Sequence, residues 1–315
     1  HFLAIDLDGE GWREDVSILA ELLRQLDLPL AVERSRSGNG AHLWFFFEKA
    51  IPAIQARRLG AHLLTEALER RPEMGLTSYD RMFPNQDTLP RGGFGNLIAL
   101  PLQKAAREAG NAVFLDESFK PVADQWAFLG NLPKIPSSTV TRIVSTAERT
   151  RRILPVRVAP SEEFALTPWE ALPSRGRKEL PIEGDLPDRL EGVISDKIYI
   201  PKVHLPPPLR NRILHLAAFQ NPEFYKAQAM RLPTYGKPRV IACAEEHAEH
   251  IALPRGCLDE LKKLLRKNRI RFRSKDLRQK GEKLCVSFSG ELRPDQIMAA
   301  KALQPQIDDA ERAYY

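Results

Sequence analysis

Two aspartates near the start of the chain stand where they could share a cation. Phe2-Leu-Ala-Ile-Asp-Leu-Asp8 reads as a strand, and residues two apart on a strand project from one face, so Asp6 and Asp8 lie side by side. Neighbouring carboxylates repel until something positive joins them. Magnesium or manganese would do so, because hard divalent ions take oxygen ligands from a few carboxylates together with substrate phosphates. The same spacing also occurs at solvated strand ends and helix caps. A second group follows in Ser35-Arg-Ser-Gly-Asn-Gly-Ala-His42. Its glycines permit close backbone approach, and Ser37, the amides of Gly38, Asn39 and Gly40, and the His42 imidazole can donate hydrogen bonds to phosphate oxygens. Standing alone, the loop reads as a hairpin turn whose histidine caps a strand.

Two later segments add to these. Ser78-Tyr-Asp-Arg-Met-Phe-Pro-Asn-Gln-Asp87 sets Asp80 behind an aromatic residue at an expected strand. Gly92-Gly-Phe-Gly-Asn-Leu-Ile-Ala-Leu-Pro-Leu-Gln-Lys104 flanks another expected strand with Asn96 and Lys104, both suited to phosphates or sugar hydroxyls. An ordinary turn and a buried edge strand are the alternative readings of these segments.

Groups so far apart need elements to position them. Hydrophobic periodicity predicts a strand over Phe2–Asp8, a helix from Trp12 to Leu28, strands at Leu30–Arg34 and Leu43–Phe47, and a helix over Ala53–Arg70. A short strand near Tyr79, a turn-rich stretch from Pro84 to Gly95, and strands at Asn96–Leu102 and Ala112–Leu115 follow. Residues 136–206 are rich in proline with weak periodicity, and read as a helical piece followed by a linker. The pattern recovers in 207–315. A helix is expected from Leu209 through Ala217, strands at Arg239–Cys243 and His250–Leu253, a helix over Leu258–Asn268, and strands at Ile270–Arg273 and Leu284–Phe288. The division is therefore 1–135, 136–206 and 207–315, and the class is α+β, with a smaller C-terminal α+β domain.

Composition agrees with a soluble globular chain: 315 residues, 43% hydrophobic and 28% charged, with no uncharged apolar stretch of membrane-spanning length. The chain opens with His1 inside a hydrophobic run, which reads as a fragment without a signal peptide. Three cysteines, Cys243, Cys257 and Cys285, argue for a reducing compartment, so a cytoplasmic location is expected. Charge is uneven. Residues 1–135 hold 15 basic and 18 acidic side chains and the remainder 32 and 23, which suits a metal-dependent site beside a polyanion-binding surface.

In order, the acidic pair, the serine and histidine loop, the later single acid and the Asn-led strand resemble the archaeo-eukaryotic primase superfamily. Ser35 to His42, Tyr79 to Asp87 and Gly95 to Pro101 are especially similar to the primase domain of TOTE conflict systems, which is fused there to a superfamily 2 helicase. The resemblance covers residues 1–135. It implies an RNA-recognition-motif-like antiparallel sheet with helices on one face and metals on the other. It further implies that Asp6, Asp8 and Asp80 hold two divalent ions, Mg2+ or Mn2+, that Ser37 and His42 grip the triphosphate, and that Asn96 and Lys104 line the nucleotide pocket. The implied activity is that of a primase-polymerase, transferring nucleotides from nucleoside triphosphates to a 3′ hydroxyl on a DNA template and primer. The competing reading is a catalytically idle DNA-binding module that loads a superfamily 2 helicase. A metal nuclease would use similar carboxylates but leaves the loop unexplained.

The basic half supplies the candidates for nucleic acid. Arg266, Lys267, Arg269, Arg271 and Arg273 lie at a helix end and along the strand after it, where Ile270-Arg-Phe-Arg273 alternates apolar and basic. A solvated cationic face, favourable at a helix C-terminus, is the plainer reading. Ile251 to Leu261 and Gly290 to Ala300 resemble the accessory part and first motor helix of certain superfamily 2 helicases, so a helicase domain in cis is a possible partner. No Gly-x-x-x-x-Gly-Lys-Ser/Thr occurs in the sequence, and no ATPase is expected from this chain. Cys243, His247, His250 and Cys257 lack a Cys-x-x-Cys knuckle, and the two cysteines read as core residues rather than zinc ligands.

Overall fold

The apolar alternation of the first strands becomes a two-sided sheet. The computed structural model describes residues 1–89, 91–92, 96–150, 152–153, 182, 185–279 and 289–301. Its first part runs β1 (Phe2–Asp8), α1 (Trp12–Gln25), β2 (Ala31–Arg34), β3 (Gly40–Phe46), α2 (Ala53–Arg70), β4 (Met82–Phe83), α3 (Lys104–Glu108), β5 (Phe114–Leu115), α4 (Gln125–Gly130) and α5 (Ser137–Thr150). The strands form an antiparallel sheet in the order β4-β1-β3-β2-β5. Leu3, Ile5 and Leu7 of β1 and Leu43 and Phe45 of β3 face one side. There they meet Val16, Leu19 and Leu23 of α1, Leu59, Leu63 and Leu64 of α2, and Val140 and Ile143 of α5. Trp44 and Phe114 occupy the opposite face in a smaller apolar cluster with Ala4, Ala31 and Leu102.

A second sheet follows. It is built from β6 (Arg189–Ile194), β7 (Ile198–Pro201), β10 (Glu245–Glu246), β11 (His250–Leu253) and β12 (Arg271–Asp276), in the order β10-β11-β7-β6-β12. Only the β6–β12 pair is parallel. One face is buried under α6 (Pro207–Leu216) and α8 (Leu258–Lys267), with Leu190, Ile198, Ile200, Ile251 and Leu253 meeting Leu209, Ile213, Leu261 and Leu265. Between these elements lie β8 (Ala218–Gln220), α7 (Pro222–Ala229) and β9 (Val240–Ala242), and β8 pairs with β9. Ala218 and Val240 join the core of the first sheet. The chain is thus a mixed α+β structure with antiparallel sheets. Residues 1–278 form one unit and 279–315 another, in which residues 294–301 are helical.

Several expectations change. The segment at Tyr79 is a 3₁₀ turn over Leu76–Asp80 rather than a strand, because Tyr79 is fully buried with its hydroxyl 2.8 Å from Thr65 Oγ1 on α2. Asn96–Leu102 is irregular: Ile98 and Leu102 pack against the Trp44 cluster, while Leu97 is 78% exposed and Leu102 takes a φ of 63°. β6 and β7 lie inside the stretch read as a linker, where alternation in so short a run is masked by the flanking prolines. Cys243, expected in the core, is exposed just beyond the end of β9. The strand expected at Leu284–Phe288, and Cys285 with it, lies outside the described residues. Among the described residues no helix is long and apolar enough to cross a membrane.

Candidate active site

Strand register builds the site. β1 and β3 pair so that Asp6 lies opposite His42 and Asp8 opposite Gly40, while β2 places Glu33 opposite His42 on the other side. Directly opposed residues share a face, so Asp6, His42 and Glu33 form a row across three strands on the side away from α1, α2 and α5. Glu33 is 1% exposed; its Oε2 accepts a hydrogen bond from Trp44 Nε1 at 2.6 Å and lies 3.0 Å from His42 Nδ1. A carboxylate can only accept, so Nδ1 is the donor and Nε2 is turned toward Asp6, 3.6 Å from its Oδ1. Burial disfavours the imidazolium, but the Glu33 hydrogen bond and the charges of Glu33, Asp6 and Asp8 outweigh it, and the His42 pKa is raised.

The acids carry an excess of negative charge. Burial first, and then the charge of Asp8, raise the pKa of Asp6 against the opposing effects of His42 and Arg81. Arg81 supplies part of the compensation: its Nη1 donates to Asp8 Oδ2 at 2.6 Å, and its carbonyl accepts from the Asp6 amide at 2.9 Å. The loop returns tightly onto β1. A Cβ on Gly40 would lie 2.5 Å from the Leu7 carbonyl oxygen and 2.6 Å from Asp8 Oδ1, so only glycine lets the backbone pass so close to the acid. Gly38 takes a φ of 83°, Ser35 and Ser37 hydroxyls are 3.1 Å apart, and the Asn39 amide donates to Ser37 Oγ at 3.3 Å. Asp6, Asp8, Ser35, Arg36, Ser37 and His42 line a pocket of about 460 Å³, bordered by Phe83, Leu97, Ile98 and Ala99.

Asp80, Asn96 and Lys104 do not line that pocket. β4 pairs Met82 with Ile5 and Phe83 with Ala4, so Arg81 comes beside Asp6, while Asp80 ends the 3₁₀ turn that precedes the strand. Asp80 Oδ1 accepts the Arg239 backbone amide at 2.7 Å. Burial raises its pKa, against that amide and the Arg239 charge. Arg239 itself is fully buried, with Nε donating to the Tyr79 carbonyl at 3.4 Å, Nη2 donating to the Asn85 carbonyl, and its guanidinium 4.3 Å from the Phe224 ring centroid. Nearby, Gln228 Nε2 donates to Asp87 Oδ2 at 3.0 Å, and Arg57 pairs with the same carboxylate. Asn96 Nδ2 donates to the Met82 carbonyl at 3.0 Å and Asn96 Oδ1 accepts from the Asn85 amide at 3.3 Å, so this side chain ties its segment to β4. Lys104 begins α3 and is exposed. Among the described residues, no three His, Cys, Asp or Glu side chains are grouped to hold a metal ion, whether around Asp6 or around Cys243 and Cys257.

Glu33, Arg36, Arg81 and Arg239 escaped the sequence reading. Glu33 left a trace, since a charged residue on the buried phase of a strand, between Ala31 and Ser35, requires a partner. Arg239 left none. Arg266 and Lys267 end α8, Arg269 lies in the turn after it, and Arg271 and Arg273 are exposed on β12.

Residues 1–143 match the family described as the TOTE conflict system, Archaeo-Eukaryotic Primase domain, a match covering less than half of the chain. No curated protein matches. The family match suggests a primase-like nucleotidyltransferase role and does not extend to the helicase resemblance.

Proposed function

We propose that the chain is a divalent-metal-dependent primase-polymerase, using an RNA-recognition-motif-like sheet to transfer nucleotides from nucleoside triphosphates to a 3′ hydroxyl on a DNA template and primer. The observation that carries this reading is the pocket where Asp6, Asp8, Ser35, Ser37 and His42 converge. Two oxygen-donor acids, one of them made harder to ionise by burial and by the other's charge, fit a single hard cation such as Mg2+ or Mn2+. A second ion would draw on a further carboxylate. Asp80 is retained for that role because the Arg239 amide engages one of its oxygens, as ligating carboxylates are commonly oriented by a second hydrogen bond.

When bound, such an ion neutralises the triphosphate and acidifies the attacking hydroxyl. The chain's own residues do the rest. His42 Nε2 donates to a phosphate oxygen, with Glu33 fixing the ring and favouring its charged form. Ser35 and Ser37 hydroxyls add donors, the loop of Gly38, Asn39 and Gly40 supplies amides, and Arg36 brings a cation to the rim. Incorporation of labelled nucleotide on a primed template with manganese tests the reading: wild type extends the primer, and the Asp8→Ala protein does not. The second reading, an idle DNA-binding and helicase-loading module, is favoured by the position of Asp80 outside the pocket. It predicts a DNA mobility shift without release of pyrophosphate.

A further inference from the structure

The second sheet has a face that its core does not use. β12 pairs in parallel with β6, which sets Arg271 beside Arg189, Arg273 beside Glu191 and Lys275 beside Val193, while β6 pairs Val193 with Tyr199 of β7. Leu190, Ile198 and Ile200 fill the other side. Arg271, Arg273 and Lys275 are exposed and make no ion pair among the described residues, whereas Glu191 is taken by Arg189 and Asp276 by Arg278. β12 is the outermost described strand of its sheet. Alternate residues on a strand are spaced by about 6.6 Å, so three unneutralised cations run along this edge at regular intervals. Tyr199 lies two strands in from Lys275, roughly 10 Å across the sheet. Its ring centroid is 6.1 Å from that of His247, and on that far side Glu245 pairs with Lys197.

We propose that this face, with Arg271, Arg273 and Lys275 tracking the backbone and Tyr199 receiving a base, binds single-stranded nucleic acid. A row of cations with an aromatic ring set to one side matches a polyanion whose bases are free to stack; a duplex keeps its bases in the helix and offers the ring nothing. On the opposite edge Glu245 pairs with Lys197, and Glu246 with Lys202 and Arg210, so the free cations of this sheet are offered on the β12 side. The proposal extends the nucleic-acid side of the function above and adds Tyr199 and Lys275 to the contacts.

Fluorescence anisotropy of the full chain with a short labelled oligothymidylate, without nucleotide or divalent metal, tests it independently of nucleotidyl transfer. Replacing Arg271, Arg273 and Lys275 together with Ala should weaken binding at least about tenfold. It should also reduce the slope of log affinity against log salt by about 2, near 0.7 per phosphate contact. Tyr199→Leu should weaken binding about tenfold and leave the slope unchanged, because stacking releases no counterions. Arg271→Lys with Arg273→Lys keeps the charges and should keep the slope. These positions are exposed or half-buried, and a thermal melt verifies the fold of each variant. Unchanged affinity and slope in the triple variant would overturn the proposal, as would equal affinity for a blunt duplex with no dependence on Tyr199.

Discussion

The two acidic segments of the first unit are positioned by opposite means. Asp6 and Asp8 owe their place to a single sheet: β1, β3 and β2 are close in sequence, and their register alone brings Asp6, His42 and Glu33 into a row. The segment from Tyr79 to Asp87 is positioned by residues some 140 to 160 places later, with Arg239 gripping Tyr79, Asp80 and Asn85, and Gln228 gripping Asp87. Those partners lie beyond the residues that match the primase family. The contrast teaches that a local repeat can preset half of a site, whereas the other half depends on a contact no local pattern announces.

The largest effects are expected at the acids. Asp8→Ala should lower incorporation by about a hundredfold or more, since it removes an oxygen ligand and leaves Arg81 without its partner. Near-normal extension would remove the metal assignment. Asp80→Asn keeps an acceptor for the Arg239 amide, so its thermal midpoint should stay close to wild type while incorporation falls at least about tenfold. Full incorporation by this variant would leave Asp80 an anchor only. Arg239→Ala strips a buried cation from two carbonyls and opens a cavity, and should destabilise the chain by about 3 kcal/mol in denaturant titration. A change below 1 kcal/mol would mean that the Tyr79 to Asp87 segment does not lean on it.

Smaller effects sharpen the other half. Glu33→Gln keeps an acceptor for His42 Nδ1 and Trp44 Nε1 but removes the charge that helps raise the His42 pKa, so the ring's NMR titration should move to lower pH. A histidine whose folded pKa is raised contributes stability that is complete below its unfolded value and is lost as pH rises through the folded one. That loss, expected in wild type as pH rises above about 6.5, should flatten in the variant. Least of all, Asp6→Asn should slightly stabilise the metal-free chain at neutral pH. The raised pKa of Asp6 means that the fold disfavours its charged form, and the cost appears as pH rises through that pKa.

What the sequence reveals tracks the same division. Strand and helix periods place β1, α2 and α8 nearly to the residue, and Asp6 and Asp8 fall on one face because a period of two demands it; β3 begins three residues earlier than expected, at Gly40, and so carries His42 on the strand rather than in the loop. Glu33 is half legible, as a charge in a buried phase. Tyr79 and the Asn96 segment mislead, since aromatic and aliphatic residues in short runs fit a strand as well as a 3₁₀ turn or a packed irregular segment. Arg239 looks like any surface arginine until the chain folds it against Tyr79. Burial of a long basic side chain is decided by carbonyls from another segment.

Electron paramagnetic resonance of Mn2+ titrated into the full chain, with and without nucleoside triphosphate, reports whether Asp6 and Asp8 seat a divalent ion against a triphosphate in the His42 pocket. Wild type should bind Mn2+ more tightly when the nucleotide is present, and the Asp6→Asn/Asp8→Asn double variant should show neither the tight ion nor the enhancement. A double variant that binds Mn2+ and nucleotide as wild type does would mean that these two acids do not seat the ion.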